Sequence, residues 1–270
     1  DTANGATYKI AEKIFTRLGI EFKIINNNPN GININKDCGS THLEMLKEYV
    51  TSNKYNLGIA YDGDGDRCLA VDENGNEING DIMLAILSKY LKEENALKKD
   101  TVVATVMSNL GLDIYCKNNN LNLEKTNVGD RYVLEEMLNK GYNLGGEQSG
   151  HIIFLDYNPT GDGILTSLML IRSMVKYNKK ASELASIIDI YPQVLVNAKV
   201  ALDKKYLYKE DSEIKEMIQE VEEKLKNEGR VLIRPSGTES LVRVMLEGKN
   251  IDKITQYANG IAQVIEKKSN

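Results

Sequence analysis

No stretch of the sequence approaches the ~18 consecutive apolar residues that a bilayer-crossing helix needs, and the chain opens on the polar run Asp1-Thr2-Ala3-Asn4-Gly5. The expectation is a protein neither embedded in a membrane nor secreted. Cysteine is scarce: Cys38, Cys68 and Cys116 are an odd number with no Cys-x-x-Cys pair. That excludes a disulfide framework and a zinc knuckle and fits a reducing cytoplasm. Dense basic clusters are also missing, and 34 Lys+Arg against 39 Asp+Glu leave a net charge of −5. Binding to nucleic acid or to an anionic membrane surface is therefore not expected. There is no short-period repeat of the solenoid kind. An initiator Met is absent too, so the chain is expected to begin inside a longer protein.

What is present is enough to fold. With 41% hydrophobic residues over 270 positions, the chain can build two or three cores. Apolar residues fall at helical spacing from Ala6 to Leu18, Gly19 stops the helix, and Glu21 to Ile25 reads as a short strand. Helix-to-strand grammar recurs: a helix over Leu43 to Val50, strands at Leu57 to Tyr61 and Val102 to Val106, helices at Leu110 to Cys116 and Tyr132 to Asn139. Asn74-Gly75 after the alternating run Arg67 to Asp72 signals a hairpin. A long helix runs from Gly163 to Tyr177, and Tyr191-Pro192 interrupts the pattern. The remainder alternates strand (Val194 to Val200), helix (Ser212 to Lys226), two strands (Val231 to Arg234, Leu241 to Leu246) and a helix from Asp252. The fold class is α/β, with two consecutive α/β domains on largely parallel sheets at 1–79 and 80–192, then a C-terminal α+β domain at 193–270.

Three loops carry chemistry. In Asp62-Gly63-Asp64-Gly65-Asp66-Arg67 three carboxylates alternate with flexible glycines, so three oxygens can converge on one hard cation such as Mg²⁺. An EF-hand is the competing reading, with Glu73 at its twelfth position. Arg67 stands where that loop needs Gly, and the flanks read as strands. In Gly145-Gly146-Glu147-Gln148-Ser149-Gly150-His151, Glu147 can accept hydrogen bonds from vicinal hydroxyls, with Ser149 and His151 nearby. A Ser149–His151 nucleophilic pair and an ordinary turn are the alternatives. In Arg234-Pro235-Ser236-Gly237-Thr238-Glu239, the guanidinium can fork onto phosphate oxygens while Ser236, Thr238 and the Gly237 amide complete a cradle, with Arg243 on the next strand. A surface turn is the alternative there. Metal, hydroxylated substrate and phosphate together suggest metal-assisted phosphoryl transfer on a sugar phosphate.

These three motifs, in this order, resemble the α-D-phosphohexomutase superfamily, whose members carry Asp-Gly-Asp-x-Asp-Arg, Gly-Glu-x-Ser-Gly-His and Arg-Pro-Ser-Gly-Thr-Glu loops. Gly146 to His151, Val128-Gly129-Asp130-Arg131-Tyr132-Val133 and Thr105-Val106-Met107-Ser108-Asn109 are similar to the branch that acts on glucosamine phosphates. The resemblance implies a four-domain enzyme interconverting glucosamine 6-phosphate and glucosamine 1-phosphate through a phosphoserine and a bisphosphate intermediate, on the bacterial route to cell-wall precursors. It implies Asp62, Asp64 and Asp66 as Mg²⁺ ligands and Glu147, Ser149 and His151 as sugar contacts. Arg234, Ser236, Gly237, Thr238 and Arg243 are implied for the phosphate, and Gly129, Asp130 and Arg131 for sensing sugar orientation. Arg67 and His151 are candidates for supporting roles in catalysis.

The family's Ser-His-Asn phosphoserine loop has no counterpart here; Gly39-Ser40-Thr41-His42 lies in the wrong place and lacks the Asn. The expectation is a fragment that lacks the N-terminal domain and the first strand of the second, and that is inactive alone. Its partners are then the phosphosugar and that missing domain, in a monomer or homodimer. The competing functions are a phosphoglucomutase or phosphomannomutase, and a non-catalytic phosphosugar-binding module.

Overall fold

The computed structural model describes residues 1–226, 228–237 and 239–269. They form two compact units, one of residues 1–108 and 112–189, the other of 109–111 and 190–270. Among the described residues no helix is long and apolar enough to cross a membrane.

The first unit starts with helix α1 (Tyr8–Arg17), which buries Ala11 and Phe15, and helix α2 (Glu44–Asn53), which buries Leu46 and Val50. Strands β1 (Leu57–Tyr61), β2 (Cys68–Asp72) and β3 (Glu77–Ile78) follow as an antiparallel sheet in the order β1-β2-β3. The expected parallel sheet is thus absent from this first region, because the acidic loop and the Asn74-Gly75 turn each reverse the chain after too few residues for a crossover. Glu21 to Ile25 is not a strand, another departure from expectation. It lacks a flanking strand: a groove of about 910 Å³, lined by Phe22, Ile24, Tyr49, Leu57 and Ile59 among others, lies beside it. Among the described residues, backbone bridges the two sides at one end of this groove, with Asp1 bonded to Ile59 and Tyr61, and Thr2 N–H to Ile25 O.

Helix α3 (Gly80–Glu93) begins at Asn79, whose side chain accepts the Asp81 and Ile82 N–H groups, and it is buried over most of its circumference. It packs in the core with β4 (Thr101–Thr105), a fully buried strand rich in β-branched residues. Helix α4 (Leu110–Asn118) leads to β5 (Asn122–Thr126), and helix α5 (Asp130–Lys140) to β6 (Leu144–Gly146). β5 and β6 flank β4 in parallel, and β7 (Ile152–Phe154) adds antiparallel to β6, giving the order β5-β4-β6-β7. Helix α6 (Gly163–Tyr177), capped by Asp162, and helix α7 (Ala181–Ala185) complete the unit. Because β4, β5 and β6 are parallel, the loops that leave them share one edge of the sheet, where open α/β sheets bind ligands.

In the second unit, β8 (Gln193–Lys199), β9 (Gly229–Pro235) and β10 (Leu241–Gly248) form an antiparallel sheet in the order β8-β10-β9. Helices α8 (Ser212–Lys224) and α9 (Ile251–Ser269) share its separate core, built on Val244, Leu246, Ile254 and Ile261.

Candidate functional site

The acidic loop joins β1 to β2 and largely organises itself. Asp62 Oδ1 accepts the backbone N–H of Gly65 and of Arg67, each at 3.1 Å, which closes the turn over Gly65, a residue at φ +82°. The loop is also pinned from outside: Ala6 N–H donates to Gly63 O, and Gly163 N–H at the start of α6 donates to Gly65 O. Carboxylate oxygens of Asp62, Asp64 and Asp66 come within 4.8 Å of one another. Burial, with Asp66 and Asp64 alongside, outweighs the Arg67 N–H bond and pushes Asp62 up to about 6. Asp66 Oδ1 is buried and has no hydrogen-bond partner among the described residues. Three converging carboxylates, one with a buried oxygen that accepts no hydrogen bond and lies 3.9 Å from Arg67 Nε, are a donor set that fits a hard divalent cation. Glu73 is turned away, bonded to the Ser182 hydroxyl at 2.5 Å and the Ser182 amide at 3.2 Å, so it closes no EF-hand.

The second loop is the turn of the β6–β7 hairpin, closed by Glu147 N–H to His151 O and Gly150 N–H to Glu147 O. Gly150 sits at φ +91°, and a Cβ there would lie 2.3 Å from Cys68 O. That contact is where the two loops meet. Cys68 N–H donates to Gly150 O, and Arg67 and His151 form an antiparallel bridge. The acidic loop and the Glu147 loop, about 85 residues apart in sequence, are therefore one continuous backbone surface. Glu147 Oε1 accepts the Gly129 N–H at 3.2 Å, which draws in the loop after β5. Asp130 opens α5, exposed, and Arg131 Nε is bonded to Glu135 on the same helix. Ser149 is exposed. His151 is buried, its Nδ1 lies 3.0 Å from Asp66 Oδ2, and its Nε2 lies 3.1 Å from the Gly161 nitrogen. With both ring nitrogens engaged in this way, the Ser149–His151 nucleophilic pair does not form.

The third loop, in the second unit, lies between β9 and β10. Ser236 is buried; its hydroxyl accepts the Glu239 N–H, and its own N–H donates to Leu241 O. Gly237 is exposed, and Thr238 lies outside the described residues. Arg234 and Arg243 stand directly opposite each other across β9 and β10. Like charges facing across a sheet repel, and burial together with Arg243 lowers the pKa of Arg234. Glu239 offsets part of that repulsion by pairing with Arg243 at 3.2 Å. An anion would offset more.

Two residues of interest carry no signal in the sequence. Lys205 is buried and donates to Ser236 O at 3.0 Å, bracing the third loop. Gly161 supports the His151 ring. Each acts through a backbone group distant in sequence, which no local spacing reveals.

The chain belongs to the phosphoglucomutase/phosphomannomutase family: models of its α/β/α domain II, α/β/α domain III and C-terminal domain match residues 1–75, 79–191 and 195–264. Among curated relatives, the phosphoglucosamine mutase of Clostridium beijerinckii is 60% identical over 270 residues, and that of Clostridium tetani 58% over 269. In both cases the whole of this chain aligns with 60% of the relative, so the chain spans about three fifths of the length of the proteins it matches. The fold also matches the solved N-acetylphosphoglucosamine mutase of Aspergillus fumigatus, with a TM-score of 0.81 at 20% identity, over all of this chain and 60% of that one. A structure of that enzyme in complex with GlcNAc-6P and magnesium superposes with a TM-score of 0.79 at 20% identity, over all of this chain and 61% of the other.

Proposed function

We propose that this chain carries the metal, sugar and distal-phosphate loops of a phosphoglucosamine mutase, which interconverts glucosamine 6-phosphate and glucosamine 1-phosphate. The observation that carries the reading is the junction of the Asp62–Asp64–Asp66 cluster with the Glu147 loop through the Arg67–His151 bridge. It sets a cation-binding group beside acceptors suited to sugar hydroxyls. The identity of 58–60% to relatives named for this activity supports the same substrate.

In this reading Asp62, Asp64 and Asp66 hold Mg²⁺, which supplies charge neutralisation at the phosphoryl group in transfer. Arg67 adds a cation beside them. Glu147 accepts from sugar hydroxyls while the Gly129 amide fixes its carboxylate, and Ser149 offers a hydroxyl from the exposed tip of the same turn. Asp130 and Arg131 border the sugar. Arg234 and Arg243 hold the phosphate that does not react, with the Ser236 hydroxyl and Gly237 amide completing its hydrogen bonds. The domains divide at 1–79, 80–192 and 193–270. The phosphorylated serine is assigned to a segment of the protein outside these 270 residues, and the protein to the bacterial cytoplasm.

The test is turnover followed by phosphorus NMR. The whole protein that contains this sequence should convert glucosamine 6-phosphate with Mg²⁺ and a hexose bisphosphate primer, and residues 1–270 alone should not. Turnover by residues 1–270 at the rate of the whole protein would return Ser40 and Ser149 to consideration as nucleophiles. A whole protein that prefers glucose or mannose phosphate would place the substrate elsewhere in the family.

A further inference from the structure

His151 sits in the sugar loop, yet its ring is committed to the metal loop. The Gly161 N–H lies 3.1 Å from Nε2, so Nε2 accepts, and the single ring proton is left on Nδ1, 3.0 Å from Asp66 Oδ2. The side chain is only 4% exposed. Its seat is built tightly: a Cβ at Gly161 would lie 2.5 Å from the ring Cε1, 2.6 Å from Nδ1 and 2.7 Å from Asp66 O. The backbone is held as well, by the Arg67–His151 bridge.

We propose that His151 is a positioning residue for the acidic cluster rather than a sugar contact or a proton carrier. Its Nδ1–H clamps Asp66 Oδ2, which leaves Oδ1, buried, without a hydrogen-bond partner among the described residues and 3.9 Å from Arg67 Nε, as the oxygen available to the cation. Gly161 selects the tautomer, and the clamp ties the sugar-loop hairpin to the metal loop through a side chain as well as the backbone. Carboxylates that ligate metals depend on such outer hydrogen bonds for their orientation. The inference rests on reading Asp62, Asp64 and Asp66 as a divalent-cation site.

Two measurements on the 270-residue chain test it. His42 and His151 are the only histidines, so nitrogen–proton correlation spectra of the imidazoles resolve the tautomer. His151 should carry its proton on Nδ1, with Nε2 acting as acceptor; a proton on Nε2 overturns the proposal. The second measurement is Mn²⁺ affinity by electron paramagnetic resonance. His151→Phe removes the donor and should weaken Mn²⁺ binding roughly 10- to 100-fold. His151→Asn, whose amide nitrogen replaces Nδ1, should stay within a few-fold of the parent. If His151→Phe does not fold, His151→Gln takes its place, since its amide reaches toward Gly161 and past Asp66. Parent-like affinity in the variant lacking the Nδ1 donor overturns the clamp. A parent chain that binds no Mn²⁺ defeats the metal reading instead, and the tautomer measurement then decides the clamp alone.

Discussion

Asp62 couples the acidic loop to pH. Its folded-state pKa of about 6 lies above the ordinary aspartate value near 4, so between those limits the folded chain keeps a proton that the unfolded chain has released. Its contribution to stability is therefore complete below about 4 and is lost as pH rises through about 6, by at most about 3 kcal/mol. Urea denaturation in a chelator from pH 4 to 7 should show this slope, and Asp62→Asn should flatten it. Divalent cation added at pH 7 should restore part of the loss, because it binds only the folded cluster. Arg234 is the counterpart in the second unit. Replacing it with Ala in the whole protein should cost roughly 1.5–3 kcal/mol of phosphosugar affinity, about 10- to 150-fold, and Lys should rescue only partly because it cannot fork. Calorimetry with glucosamine 6-phosphate reads both; unchanged affinity would make the loop structural only.

Among the elements, β1 is incompletely paired. Its register with β2, together with the Ile59 and Tyr61 bonds to Asp1, turns the backbone groups of Leu57, Ile59 and Tyr61 away from β2 and those of Gly58 and Ala60 toward it. Hydrogen exchange should then be faster at Ile59 than at Ala60, since the Ile59 amide faces the groove beside the 20–25 segment. Equal protection would mean that the groove is closed in solution. The β6–β7 hairpin makes a sharper prediction. Gly150→Ala brings a Cβ to 2.3 Å from Cys68 O at a backbone φ of +91°, so it combines strain with a clash. A loss of roughly 1–3 kcal/mol is expected from thermal denaturation, with weaker Mn²⁺ binding because the hairpin carries His151. The helices at Leu110–Asn118 and Asp130–Lys140 were legible from apolar residues three or four positions apart, Leu112 with Tyr115 and Cys116 in one and Val133 with Met137 in the other. The segment 21–25 misled for the opposite reason: a strand exists only with a neighbour, and alternation of side chains says nothing about whether one is there.

Among the described residues, the largest buried cluster of the first unit and the buried cluster of the second share no residue. Leu246→Ala, at a fully buried position of the second core, should cost about 2–5 kcal/mol there. Exchange at Val102 to Ala104 in the first unit should stay unchanged, and a matching loss of protection in β4 would show that the two units unfold together. The sequence by itself determined what depends on a few adjacent residues: the self-closing acidic turn around Asp62 and Gly65, the reversal at Asn74-Gly75, and the family to which three ordered loops point. Only the tertiary structure decided which loops touch. The Asp66–His151 contact, the Glu147 bond to Gly129, the Lys205 brace under Ser236 and the facing pair Arg234 and Arg243 join positions from 9 to 85 residues apart. Their partners are set by strand order and register, and these emerge when apolar faces are buried against one another, a property of the packed chain that no local spacing encodes.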